Sequence, residues 1–401
     1  MTDHSRRGVL VAACGVLAGC GGSDGPAETS DTPSASGAGF EGPAPLGFRA
    51  VPDGAADPPT FDRTRTYETS VDSGLVDILD RREGSLALAY TRSQDGYGEP
   101  VLRRIGAEGE TTGSRTPSGL PSNRVFFLER GADGAVLGGH RESDDRRATW
   151  FRGVGGQSFS VDTGLGTVYA DVAADGETFL AAGSVRESAA DRREAVSRRY
   201  GPDGEVVWER TTGDPETDVR FWTVSPVSDG VLAGGSIGGD ILLVKYGPNG
   251  SESWRSTVRD SEEAYHVIDL AVGATGTYAV AETNQFAQGN NHAILLSLSS
   301  DGAVEWARVF DPNYDEYASG PLDLFVVGIV DDEGPVLAGR ANGRAWLAAA
   351  DPEGGLRWAG YRSGEEPLRP LGFSPADDGF AMYGSRGVPR DEGEDPWLAW
   401  L

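Results

Sequence analysis

The sequence predicts an all-β fold: a seven-bladed β-propeller of four-stranded antiparallel blades, the last blade closed by an N-terminal strand. Three observations predict it. A turn glycine ahead of an apolar strand recurs at Gly84, Gly134, Gly176, Gly230, Gly276, Gly334 and Gly379, at spacings of 42 to 58 residues. A tryptophan recurs at Trp208, Trp254, Trp306 and Trp358, 46 to 52 residues apart. Between these markers lie short apolar or β-branched runs separated by turn residues, four to a unit. Four-strand repeats of about 40–50 residues stack as radial sheets around an axis.

Taken in order, the chain opens with an address. Ser5-Arg6-Arg7-Gly8-Val9-Leu10 precedes an apolar stretch, Val11 to Ala18, and then Gly19-Cys20. Paired Arg6 and Arg7 ahead of such a stretch match the export signal of chains that cross a membrane already folded. The apolar run is about half the ~20 residues a spanning helix needs. Leu17-Ala18-Gly19-Cys20 looks like a lipobox, which implies a diacylglyceryl group on Cys20 and removal of residues 1–19. Cys14 would leave with the signal, so the mature chain would have one cysteine and no internal disulfide.

Residues 20–60 are Gly, Ser, Asp, Thr, Pro and Ala with few large apolar groups. Such a segment buries too little surface to offset its chain entropy and reads as a tether. The repeats occupy 61–401. The unit is plainest at 219–258, where Val219 to Val224 is followed by the turn Ser228-Asp229-Gly230 and by Val231-Leu232-Ala233-Gly234-Gly235. Asp240 to Tyr246 comes next, then the turn Pro248-Asn249-Gly250 and Ser253 to Thr257. Asp-Gly and Asn-Gly supply the positive φ that tight hairpins require. The last unit ends at Pro396 to Leu401, which aligns with a third strand. The run Arg65-Thr66-Tyr67-Glu68-Thr69 resembles the outer strand Trp208 to Thr212, and it is expected to complete that last blade.

These motifs resemble the propeller repeats of many secreted bacterial and archaeal proteins, in which a DGG turn, a LAG strand, an LVK strand and an outer tryptophan follow in that order. The first two units match weakly and lack the tryptophan. Such repeats specify architecture and imply no activity.

Composition narrows the partners. There are 62 acidic against 35 basic side chains, a net charge of −27, and Lys245 is the single lysine. This charge excludes nucleic acid, whose phosphates need Lys and Arg. It also disfavours anionic lipid headgroups, so the membrane contact is expected through the lipid alone. Excess carboxylate with almost no lysine resembles the secreted proteins of extremely halophilic archaea, since near 1 M salt the Debye length is about 3 Å and clustered carboxylates repel weakly. A GC-rich genome would account for arginine over lysine, less readily for the acidic excess.

No catalytic residue and no metal site is expected. The Asp311-x-Asn313-x-Asp315 alternation lacks the glycine and the distal glutamate of a calcium loop. Asp203-Gly204-x-x-x-Trp208 departs from the sialidase Asp-box, and no Gly-x-Ser-x-Gly elbow or phosphate loop is present. Trp208, Trp254, Trp306 and Trp358 could stack a ring-shaped cofactor such as a quinone, but one ligand cannot use four equivalent sites, so they are expected to join successive blades and no cofactor is expected. The candidate ligand face is formed by loops joining second to third strands and blade to blade. His140, Arg141, Arg186, Arg340 and Arg386 fall at the loop starts after second strands, where guanidinium groups could grip an anion. The alternative for each arginine is that it offsets nearby carboxylates.

The expectation is a monomeric, extracellular, lipid-anchored propeller that binds or assembles with a surface protein or glycan through that face. The alternative class is a cell-surface propeller enzyme, quinoprotein-like or glycan-cleaving. A solute-capturing lipoprotein would have two α/β lobes, and that pattern is absent.

Overall fold

A computed structural model describes residues 63–66, 73–79, 85–93, 96–106, 110–122, 124–131, 134–143, 146–155, 159–164, 166–186, 192–214, 216–259, 265–283, 293–310, 322–330, 334–341, 344–361, 368–376, 379–386 and 395–400. Side chains are described from Glu99 onward, except within 322–330, 340–344, 361–381 and 385–400 and at 146, 155 and 283. The expected signal with Arg6 and Arg7, the lipidated Cys20 and the tether lie outside the described residues, as do the 311–321 and 387–394 segments.

Among the described residues the protein is all strand and turn, arranged as four-stranded antiparallel sheets in the manner of propeller blades. Sheet 1 comprises Ser73–Leu79, Ser85–Ser93, Gly96–Ile105 and Thr111–Arg115. Sheet 2 comprises Val125–Gly131, Gly134–Ser143, Arg146–Gly155 and Ser160–Asp162. Thr167–Asp175, Thr178–Val185, Glu194–Tyr200 and Val206–Thr212 form sheet 3. Sheet 4 is built from Val219–Val227, Gly230–Ile237, Asp240–Tyr246 and Glu252–Val258. Tyr265–Gly273, Gly276–Thr283, Ala293–Leu298 and Val304–Phe310 make sheet 5. In sheet 6 the strands are Leu322–Val330, Gly334–Ala341, Arg344–Ala350 and Leu356–Tyr361. Sheet 7 takes Leu368–Ala376, Gly379–Arg386 and Asp395–Trp400 from the C-terminal end and Arg63–Thr66 from the N-terminal end.

The N-terminal strand lies slightly earlier than its sequence suggests. Arg63–Thr66 pairs antiparallel with the last strand, Arg63 opposite Trp400 and Thr66 opposite Trp397. Of the run expected to pair there, Arg65 and Thr66 do so, while 67–69 lie outside the described residues. The first strand of each sheet contacts the first strand of the next, and Leu368–Ala376 also contacts Ser73–Leu79.

Every first strand carries one bulge. Pairing skips Val76, Phe126, Ala170, Trp222, Ile268, Phe325 and Leu371 in turn. A bulge adds local twist and bends the strand. It also explains the recurring Gly of the second strand. Gly139, Gly183 and Gly235 stand opposite the bulges, where the first strand's backbone passes close above them. A methyl group at these positions would collide with the carbonyl oxygens of Arg124, Val168 and Arg220.

Hydrophobic clusters lie between successive sheets. One joins Val231, Leu242 and Tyr246 of sheet 4 to Leu180 and Trp208 of sheet 3. Another joins Leu295 and Phe310 of sheet 5 to Leu337 and Trp346 of sheet 6. Middle strands are covered on both faces, which is why Ile241 to Val244 and Ala293 to Leu296 are apolar without alternation and at most 1% exposed. Buried carboxylates tie the first strands together: Asp171 accepts from Thr223 Oγ1 at 3.1 Å and Val224 N at 2.9 Å, and Glu129 accepts from Ala174 N.

Candidate ligand-binding face

The antiparallel order sorts the connections onto two sides. First-to-second and third-to-fourth turns share one face, here the turn face. Second-to-third connections and those between sheets share the other, the loop face. On the loop face, three backbone bonds join one sheet to the start of the next: Gly166 N donates to Arg147 O at 2.8 Å, Val219 N to Arg193 O at 2.9 Å, and Tyr265 N to Gly239 O at 2.7 Å. The face is therefore laced together by backbone, which holds its side chains at fixed spacing.

His140 and Arg141 were expected at the start of a loop, and here the structure corrects the sequence reading. The second strand of sheet 2 runs on to Ser143, with His140 paired to Thr149 and Arg141 to Ala148. Long pairing with Arg146–Gly155 leaves only 144–145 between the two strands. His140 Nε2 lies 2.9 Å from the Tyr169 carbonyl oxygen of sheet 3, and its ring sits 4.8 Å from that of Phe126. Burial pushes its pKa down to about 4, so the imidazole is neutral and serves as a tie between sheets.

Arg141 forms a two-pronged pair with Asp162, Nε to Oδ2 at 2.7 Å and Nη2 to Oδ1 at 3.0 Å. Its fork is already occupied by a carboxylate, as the charge-offsetting alternative expects. Arg186 is half-buried, and its backbone N donates to Gly166 O at 3.1 Å. Arg340 and Arg386 lie within the ends of second strands rather than after them, and their side chains are outside the described residues. The four arginines lie near the loop-face ends of the second strands of sheets 2, 3, 6 and 7, between one and three residues past the glycine opposite each bulge.

Further along the face is a group that sequence reasoning missed. Asp218 accepts from Arg193 N at 3.0 Å, Arg193 Nη1 at 3.1 Å and Arg220 Nη2 at 2.9 Å. Burial opposes its charge, but the Arg193 and Arg220 bonds outweigh it and hold its pKa at about 2. Arg220 also lies over the Trp222 ring, 5.8 Å from its centroid, and Trp222 stands 5.3 Å from His266 of sheet 5. His266 Nε2 is 3.5 Å from Glu282 Oε1, and both side chains are 7% exposed. Burial, reinforced by Arg220, takes His266 down to about 4, so the imidazole is neutral at neutral pH. The sequence signals for this group are the aromatic Trp222 and the scarce histidine His266.

The repeating tryptophans are joints between sheets. Trp208 Nε1 donates to Pro248 O at 3.1 Å, Trp254 Nε1 to Ser300 O at 3.0 Å and Trp306 Nε1 to Pro352 O at 2.8 Å, each in the next sheet's turn. Trp358 holds the same register, opposite Ala349 and just after a bulge. Among the described residues no group of three or more His, Cys, Asp and Glu could hold a metal, and no helix is long and apolar enough to cross a membrane.

Fold and site together define a class, an all-β protein of blade-like sheets with a side-chain-rich loop face. No protein-family model matches the chain, and no curated protein does. Among solved structures it is similar to the β-propeller domain of the trilobed protease from Pyrococcus furiosus, at 10% identity and a TM-score of 0.48, covering 82% of this chain and 93% of that one. It is similar to the Pyrococcus horikoshii acylaminoacyl peptidase at 9% identity and a TM-score of 0.48, covering 81% of this chain and 51% of that one. An acylaminoacyl peptidase in complex with a chloromethyl ketone gives 11% identity and a TM-score of 0.48, with 82% and 51% covered. The chain spans about half the length of these two peptidases, and the likeness carries no inference about activity.

Proposed function

We propose that this chain is an extracellular lipoprotein, anchored through Cys20 and a 20–60 tether after twin-arginine export, with a closed seven-bladed propeller. In this reading it is a monomer whose loop face binds or assembles with a surface protein or glycan in a high-salt habitat. The observation that carries the reading is the direction of Arg63–Thr66. Its partner Asp395–Trp400 is a third strand and runs from the loop face to the turn face. Arg63 stands opposite Trp400, so this strand starts at the turn face. A lipid at Cys20 then tethers the turn face, and the loop face looks away from the membrane. About 40 tether residues give a root-mean-square reach of roughly 35 Å, enough clearance for a partner to approach.

The test is photo-crosslinking on intact cells in high salt, with the reactive side chain placed at Arg186 on the loop face or at Asp301 on the turn face. A recurrent partner captured from position 186 and not from 301 supports the reading. Capture from neither position shifts the weight to small-molecule binding or catalysis. The mass of the mature N-terminus tests the anchor: a chain still carrying residues upstream of Cys20 overturns it.

A further inference from the structure

Asn249-Gly250-Ser251 is the one Asn-x-Ser/Thr tripeptide in the 401 residues. It sits at the tip of the third-to-fourth turn of sheet 4, with Asn249 and Ser251 both exposed. The turn is fixed: Gly250 N donates to Gly247 O at 2.8 Å, Gly247 N donates to Ser251 O at 2.7 Å, and Trp208 packs against Gly250 from the neighbouring sheet. Within it, the Asn249 side-chain carbonyl is doubly engaged. Its Oδ1 accepts from Ser251 N at 3.0 Å and from Ser251 Oγ at 2.8 Å. The amide Nδ2 makes no hydrogen bond to any described residue.

The corresponding turns do not need this pairing. Sheets 3, 5 and 6 place Asp203, Asp301 and Glu353 where sheet 4 has Asn249, and Glu205, Ala303 and Gly355 where it has Ser251. Asp203 Oδ1 accepts from Glu205 N at 3.5 Å, so a carboxylate caps the same turn. An acidic residue is the rule at this position in a strongly acidic protein. Sheet 4 alone combines an exposed amide with a hydroxyl two residues on.

We propose that Asn249 is an N-glycosylation site. The proposal rests on the extracellular reading above, since the modifying transferase acts outside the cytoplasm. The donor is an oligosaccharide linked through its anomeric carbon to a polyprenyl phosphate. Asn249 Nδ2 forms a bond to that carbon, the carbon–oxygen bond to phosphate breaks, and the lipid phosphate leaves with the electron pair. The proton lost from Nδ2 passes to a carboxylate of the transferase, and nothing is oxidised or reduced. A hydroxyl donating to Oδ1 leaves Nδ2 turned outward for this attack. A chain exported already folded is modified only where its surface offers an acceptor, and this turn tip does. The glycan would stand on the turn face and leave the loop face open.

The test uses the full chain produced in an archaeal host that glycosylates its own surface proteins, purified from membranes. Trypsin releases Tyr246 to Arg255, which contains the whole tripeptide, and mass spectrometry reads it directly. The expected result is a glycan-shifted peptide that persists in Ser251→Thr and falls to background in Ser251→Ala and Asn249→Asp. Asn249→Asp copies the sister turns, so its folding serves as the control. An unmodified peptide in chains whose N-terminus is lipidated Cys20 overturns the glycosylation alone. An unmodified peptide in chains that retain residues 1–19 overturns the glycosylation and the extracellular reading together.

Discussion

Trp208 Nε1 donates a hydrogen bond to the carbonyl oxygen of Pro248, 3.1 Å away in the next sheet, and its ring packs against Gly250 of the same turn. Trp254 does the same to Ser300 and Gly302, and Trp306 to Pro352 and Gly354. Arginines two residues after Trp208 and Trp306 add a clasp: Arg210 Nε donates to Gly250 O and Arg308 Nε to Gly354 O, both at 2.6 Å. Each joint therefore combines aromatic burial with a satisfied turn carbonyl. Trp306→Ala is expected to cost about 3–5 kcal/mol, as for other large aromatic truncations in a core. Trp306→Phe keeps most of the contact and loses the indole donor, about 1 kcal/mol. Denaturant unfolding in high salt of the two variants against the parent measures both. Equal midpoints for all three would show that the joint contributes nothing.

The turn glycine is constrained from two sides. Gly250 has φ of 78°, which favours glycine, and a Cβ there would come within 2.8 Å of Trp208 Cδ2. Gly164 has the same φ of 78° with nothing within 4 Å. Gly164→Ala is expected to cost only the backbone strain, about 1–2 kcal/mol. Gly250→Ala adds overpacking of about 1–3 kcal/mol. The comparison isolates the contact with Trp208, and thermal unfolding midpoints read it. A Gly250→Ala loss no larger than that of Gly164→Ala would show that the indole moves aside freely.

The turn glycines and the tryptophan ladder were legible because they recur at one register with an unmistakable side chain. The Pro-Asp-Gly and Pro-Asn-Gly turns and the apolar second and third strands follow for the same reason. Sheet 2 was harder. Phe159 packs on Gly204 where later sheets use tryptophan, and a Cβ on Gly204 would lie 2.8 Å from the Phe159 ring. A lone phenylalanine carries no register in the sequence. The bulge in every first strand was invisible as well, because it is a backbone event that many residue types tolerate, from Ala170 to Trp222. Its trace is the glycine opposite, such as Gly235 at the end of Leu232-Ala233-Gly234-Gly235. On the loop face, charge suggested arginines, but which carboxylate engages each one depends on neighbours far away in sequence: Arg141 and Asp162 are 21 residues apart, and Arg193 and Asp218 are 25.

Acid should weaken the protein in two stages. His140 and His266 are held neutral by burial with pKa values of about 4, below the ordinary 6.5. The unfolded chain therefore binds more protons between these values, and stability is complete above about pH 6.5 and falls as pH drops toward 4. The loss is up to about 3 kcal/mol per imidazole. Arg147, Arg124 and Glu142 surround His140, while Arg220 and Glu282 face His266. Asp218, held at about 2 against the ordinary 3.8, acts lower: its contribution is present above about pH 4 and is lost as pH falls toward 2. Unfolding midpoints from pH 8 to 3 for the parent and His140→Gln test this. The variant should lose a distinct share of the slope between pH 6.5 and 4 and keep the decline below 4. An unchanged slope would show that His140 is not held neutral.

The last prediction concerns Arg63–Thr66. This strand is the outer member of sheet 7, and removing it would expose the backbone N–H and C=O groups of Asp395–Trp400 along an unpaired edge. It also joins the two ends of the chain, so its removal frees sheet 7 from a long-range contact while the other six sheets keep their strands. Deleting 61–70 is expected to lower the unfolding midpoint markedly and to promote association through the bared edge. Deleting 21–55, which the sequence assigns to the tether, is expected to leave the midpoint where it is. Thermal unfolding and light scattering in high salt, run on both deletions and the parent, separate the cases. Equal midpoints for the two deletions would mean that the terminal strand does not hold the ends together.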